Sequence, residues 1–154
     1  MLRLSKLTDY ATVILSHMAK DNVQVHAAIE LAAATGIALP TVSKILKLLV
    51  NASVLVSTRG SKGGYTLARN PENISIAAVI SAMEGPIGIT ECSISHQGCE
   101  QASGCGIRGN WSLINHAIQQ ALESVTLADM IRPARFPSPV LDQEILIPVA
   151  SLYR

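Results

Sequence analysis

HAAIELAAATGIALPTVSKILKLLVNASVLVSTRGSKGGYTL, residues 26–67, decides the fold. Its first part reads as a helix over roughly His26–Ala34, followed by Thr35-Gly36-Ile37. Gly36 supplies the turn, because glycine enters the left-handed region without steric cost, and Ile37 anchors that turn to a core. A second helix starts near Pro40, since a first-turn proline loses no intrahelical hydrogen bond. Val42, Ile45, Leu46 and Leu49 fall at helical spacing and form its apolar face, which leaves Thr41, Ser43, Lys44 and Lys47 pointing outward. The β-type runs VLVST and YTLAR follow, joined by RGSKGG, whose Gly60, Gly63 and Gly64 suit a long hairpin tip. Two short helices about a glycine turn and then a glycine-tipped hairpin make a winged helix-turn-helix.

Working outward, LTDYATVILSHMAK predicts a preceding helix from Thr8, read as its cap, to about Lys20, with Ala11, Ile14, Leu15 and Met18 inward. Downstream, Ile74–Met83 predicts a short helix after Pro71 and Ser75, ended by Gly85-Pro86. A Gly- and Ser-rich loop with Cys92, Cys99 and Cys105 comes next. A long amphipathic helix then spans about Ile107–Val125, with an apolar stripe of Trp111, Ile114, Ile118, Leu122 and Val125. Thr126 and Asp129 resemble a capping pair for a last helix, Leu127–Ile131. Pro133, Pro137 and Pro139 open a tail expected to be mobile, whose apolar end EILIPVASLY could dock on another surface. The expected architecture is mainly α with a small β wing: a winged helix-turn-helix plus a long C-terminal dimerisation helix. Its divisions are 1–84 for DNA binding, 85–106 for the cysteine loop, 107–131 for the dimerisation helix and short terminal helix, and 132–154 for the tail.

The net charge of +1 conceals an asymmetry. Residues 1–70 hold eight basic and three acidic side chains, a net +5, and the remainder carries −4. A basic first half suits a polyanion. In a winged helix-turn-helix the second helix of the pair enters the major groove, and short polar or basic side chains let it approach base edges. Thr41, Ser43, Lys44 and Lys47 meet that need, while Arg59, Ser61 and Lys62 at the wing tip suit phosphate or the minor groove. Taken singly, each lysine reads as a solvated surface residue. The wing directly after the helix pair turns the reading to double-stranded DNA, and a palindromic operator calls for a homodimer. The apolar stripe of the long helix is assigned to that dimer. Uncharged runs such as Gly109–Leu122 carry Asn and Gln and fall short of the roughly 18 apolar residues that a membrane span needs. With no signal-peptide run in MLRLSKLTDYA, the expectation is a cytoplasmic protein without membrane association. Paired carboxylates, a nucleophile–base pair and a phosphate loop are all missing from the motifs, so an enzyme is not expected.

Cys92-x6-Cys99-x5-Cys105 contains every cysteine of the chain. Three thiols on one loop can converge on a soft metal or an iron–sulfur cluster. The spacing is not that of a zinc ribbon, and zinc, a cluster or free thiols all remain open from spacing alone.

The stretches RGSKGGYTL (59–67), ISIAAVISAMEG (74–85) and RLSKLTDYA (3–11), together with the cysteine window, resemble the IscR/NsrR family of bacterial transcription regulators. The resemblance covers about residues 1–131. It implies a homodimeric winged-helix protein on palindromic DNA, with an iron–sulfur cluster (2Fe–2S or 4Fe–4S) on the three-cysteine loop beside a long dimerisation helix. Among its branches, GIALPTVSKILKLL (36–49) and CGIRGNW (105–111) look most like the SUF-system regulators, which implies control, as a repressor, of iron–sulfur assembly genes. A cluster normally takes four protein ligands. IscR-type members place a histidine three residues after the last cysteine, where this chain has Arg108, which cannot ligate iron. NsrR-type members use an aspartate from the partner's first helix, and Asp9 occupies the matching position. His96 is the second candidate, and Glu91 and His116 come third. A cluster-free repressor of sulfur metabolism working through a protein partner, and a nitric-oxide or redox sensor, are the alternative readings.

Overall fold

The computed structural model describes residues 3–60, 62–95 and 104–133. Ser61, His96, Cys99 and the tail from residue 134 onward lie outside the described residues. Helices α1 (Lys6–Met18), α2 (Ala28–Thr35) and α3 (Leu39–Asn51) precede strands β1 (Leu55–Thr58) and β2 (Gly64–Leu67); α4 (Ile76–Glu84), α5 (Glu91–Ile94), α6 (Arg108–Glu123) and α7 (Leu127–Ile131) follow. The protein is therefore mostly helical with one small antiparallel sheet, as its sequence predicts.

Apolar spacing produces the core. Ala11, Ile14, Leu15 and Met18 of α1 meet Leu31 of α2 and Val42, Ile45, Leu46 and Leu49 of α3, all of them fully buried. Gly36 ends α2 at φ +71°, a left-handed cap that leaves no Cβ strained. The chain then turns through 119° between α2 and α3, which lays α3 across the surface of the core. Leu55 pairs with Leu67 and Thr58 with Gly64, so the wing is a two-stranded ribbon directly after α3.

The wing is fastened at its base. His26 exchanges both backbone hydrogen bonds with Tyr65, each 2.9 Å, and so adds a third chain segment beside β2. That close approach explains Gly64, where a Cβ would lie 2.6 Å from the His26 carbonyl oxygen. The buried His26 ring points its Nε2 at the Asp21 carbonyl, 3.3 Å away.

Several local expectations shift. Ser5, not Thr8, caps α1: its Oγ accepts from the Thr8 N–H at 3.2 Å, which makes Thr8 the third residue of the helix and buries it. Ser75 caps α4 in the same way, so that helix begins at Ile76 instead of Ile74. The cysteine segment is not all loop, because Glu91–Ile94 closes one helical turn that carries Cys92. Helix α6 stops at Glu123, which leaves Val125 in the connector, where its carbonyl accepts from Ile76 N–H at 2.9 Å. Thr126 and Asp129 form the reciprocal capping box that their spacing predicts. Helix α7 packs back into the core through the fully buried Leu127.

Candidate functional site

The outward face of α3 is built by subtraction. Its four fully buried residues, Val42, Ile45, Leu46 and Leu49, face the core, and Ser43, Lys44 and Lys47 are thereby left exposed. Thr41 departs from the expectation: it is half-buried in the first turn of α3. No acidic residue lies in the first turn of α3, so nothing there opposes an approaching phosphate. Arg59 and Lys62 stand exposed at the wing tip. Gly63 holds that tip tight, since a Cβ there would run into the Thr58 carbonyl. A helix with exposed Ser and Lys beside a cation-tipped ribbon is the geometry that spans a major groove and its flanking backbone.

The cysteine region follows the C-terminal end of α4. Gly85 turns the chain out of α4 at φ +88°. Segment 86–90 then runs along α6, where buried Asn115 holds it with two hydrogen bonds: Ile89 N–H donates to Asn115 Oδ1 at 3.2 Å, and Asn115 Nδ2 donates to the Ile87 carbonyl at 3.2 Å. Gly88 permits close packing there, because a Cβ would collide with the Ile94 side chain. Cys92 is half-buried, with its Sγ 3.2 Å from Thr90 Oγ1. Cys105 is also half-buried and precedes the first turn of α6, whose Arg108 N–H meets the Cys105 carbonyl at 3.4 Å. Neither cysteine is in a disulfide. The donor type therefore suits a soft metal or cluster. Among the described residues, however, no three His, Cys, Asp or Glu side chains converge, so Asp9, Glu91 and His116 do not complete a site with Cys92 and Cys105 inside one chain. Asp9 lies exposed in the first turn of α1, where its charge also complements the helix dipole.

Glu84 was not legible as a functional residue. At the last position of α4 its carboxylate faces the start of α1, accepting from Ser5 N–H at 2.7 Å and from the Thr8 hydroxyl. Those bonds, the Thr8 hydroxyl above all, hold its carboxyl below the ordinary value. The root of the cysteine segment and the Asp9-bearing helix are thus fastened to one another.

Among the described residues, the apolar stripe of α6 and the connector after it is only partly covered. Trp111, Ile118 and Leu122 are half-buried, while Ile114 and Val125 are 45% and 38% exposed. No described helix is long and apolar enough by itself to cross a membrane.

Comparison with known proteins agrees with this geometry. The family model Rrf2, described as iron-dependent transcriptional regulator, matches residues 4–133. Protein rrf2 of Nitratidesulfovibrio vulgaris is 29% identical over 134 residues, which covers 86% of this chain and 89% of that protein. The HTH-type transcriptional regulator IscR of Sodalis glossinidius is 28% identical over 66% of this chain and 61% of its own length. Among solved structures, CymR (YrzC), the global cysteine regulator of B. subtilis, superposes with a TM-score of 0.66 at 28% identity, covering 85% of this chain and 97% of CymR. T. potens IscR superposes at 0.62 and 24% identity, covering 84% and 86%, a likeness of fold.

Proposed function

Since the chain belongs to the Rrf2 family of transcriptional regulators, we propose that it is a homodimeric repressor of iron–sulfur assembly genes, sensing through an iron–sulfur cluster held by Cys92, Cys99 and Cys105. DNA-binding regulation, not catalysis, is the business of this family. The finer reading rests on one observation: the backbone on either side of the cysteine window is hydrogen-bonded to α6, through Asn115 to Ile87 and Ile89 before Cys92 and through the Arg108 N–H to the Cys105 carbonyl.

Each residue has a part. Thr41, Ser43, Lys44 and Lys47 would face the major groove, with Arg59, Ser61 and Lys62 on the adjoining backbone. Trp111, Ile114, Ile118, Leu122 and Val125 would pair two copies, which matches the two-fold symmetry of a palindromic operator. The cluster, when bound, supplies iron that accepts thiolate ligands and one further donor. Asp9 of the second copy is that donor in this reading: it is exposed, and among the described residues no group of three His, Cys, Asp or Glu side chains forms around it. A carboxylate is a harder ligand than thiolate and more easily displaced. A ligand drawn from the other copy makes the relative position of α1 and α6 depend on the state of the site. Operator affinity then differs between the two states, because a ligand shifts an equilibrium only by its preference for one of them.

The likeness to CymR favours a second reading, a sulfur-metabolism repressor whose thiols stay metal-free and whose signal comes through a protein partner. Anaerobic purification separates the two. The first predicts visible charge-transfer absorbance with iron and sulfide bound, lost in Cys92→Ser, Cys99→Ser and Cys105→Ser. A colourless, iron-free wild type after anaerobic reconstitution sinks it in favour of the second.

A further inference from the structure

Helix α6 carries an amphipathic pattern, yet its one buried residue is polar: Asn115. At this point the helix is held to its own chain by the two hydrogen bonds of an amide. We propose that Asn115 is a positioning residue for the cysteine site, fixing Cys92 relative to Cys105 and joining the cysteine segment to the dimerisation helix. This rests on the cluster reading for its purpose, though not for its geometry.

The chemistry is demanding. Asn115 accepts from Ile89 and donates to Ile87, two residues apart on one strand of chain. A primary amide does both from two separate atoms on one short side chain, which suits two backbone groups two residues apart. Aspartate would keep the acceptor but set a carboxylate against the Ile87 carbonyl. Leucine would fill the space and leave both backbone groups without partners in a part-buried setting, which is costly. The two bonds fix segment 87–89, and Cys92 follows three residues later, on the single turn of α5. Cys105 is referenced to the same helix from the other side, three residues before its first turn, through the Arg108 N–H. Both thiols are therefore placed from α6, one by the helix terminus and one by Asn115. Partners that orient ligands without touching the metal typically alter metal affinity by about 10–100-fold when removed.

The test compares wild type with Asn115→Asp, Asn115→Leu and Asn115→Gln. In metal-free, reduced protein, alkylation of Cys92 and of Cys105 is followed by mass spectrometry, with hydrogen exchange read at Ile89. Thermal melting is recorded for each variant. In reconstituted protein, the rate of iron loss to a chelator is measured. The expected result is faster Cys92 alkylation and Ile89 exchange in the Asp and Leu variants, little change at Cys105, and iron loss about tenfold faster. Gln should restore part of the protection. Two results would overturn the proposal: wild-type alkylation and iron retention in the Asp and Leu variants, or equal acceleration at Cys92 and Cys105 with a lowered melting point, which is general loosening. A wild type that takes up no iron ends the cluster reading instead, and the placement of Cys92 then stands or falls on the metal-free measurements.

Discussion

Lys44, Lys47, Arg59 and Lys62 are exposed cations on two adjoining elements, and their effects should be separable from folding. Lys47→Ala is expected to weaken DNA binding on every sequence about equally and to lower the salt dependence of the binding constant by about one unit of log–log slope, as read by titration at several salt concentrations. Glu84 makes a different prediction. Its carboxyl sits below the ordinary value of 4.5 because the Thr8 hydroxyl and then the Ser5 N–H stabilise the charged form. A depressed carboxylate contributes stability that is fully present above its unfolded value and is lost as pH falls through the folded one. Thermal melting of wild type should therefore fall below about pH 4.5, and Glu84→Gln should flatten that fall. The cations could be read from the sequence because exposure follows from helical spacing alone. Glu84 and Asn115 could not, because their partners lie 26 to 79 residues away. The amide in the midst of the α6 stripe was the one available signal.

At the scale of elements, α3 has two faces with opposite requirements. Leu46→Ala on the inner face opens a cavity in a fully buried cluster and should cost about 2–5 kcal/mol in denaturant unfolding, since the site collapses only partly. Gly64→Ala should loosen the wing instead, because the Cβ meets the His26 carbonyl. Raised hydrogen exchange at Tyr65, with α1 and α3 unchanged, would register that. The helix pair, the wing and the terminal capping box were all legible, since each is written in local spacing: apolar residues at three and four, glycines at turns, Thr126 before Asp129. Helix ends were read less well. Ser5 and Thr8 are both acceptable caps, and only the packing of Thr8 against Glu84 decides between them. The single turn at Cys92 was hidden by the glycine and serine around it.

For the whole molecule, the account requires two copies meeting along α6. Ile118→Glu places a charge within the stripe and should yield a monomer by light scattering with the winged-helix fold retained by circular dichroism. A dimer that survives the substitution would move the interface elsewhere. Asp9→Ala should alter the cluster spectrum and operator affinity together if Asp9 reaches the second copy's cysteines, and an unchanged pair of readings removes that role. Under the proposed reading the site is legible only in part from one chain, because a ligand drawn from a second copy leaves no trace in the spacing of either. All of this converges on one dependence, that of DNA binding on the cysteine site. Its most direct measurement is an anaerobic titration of the operator with cluster-loaded protein and with the same protein after cluster removal. The account predicts affinities that differ by roughly tenfold or more, a coupling of about 1.4 kcal/mol. Equal affinities in the two states would contradict it.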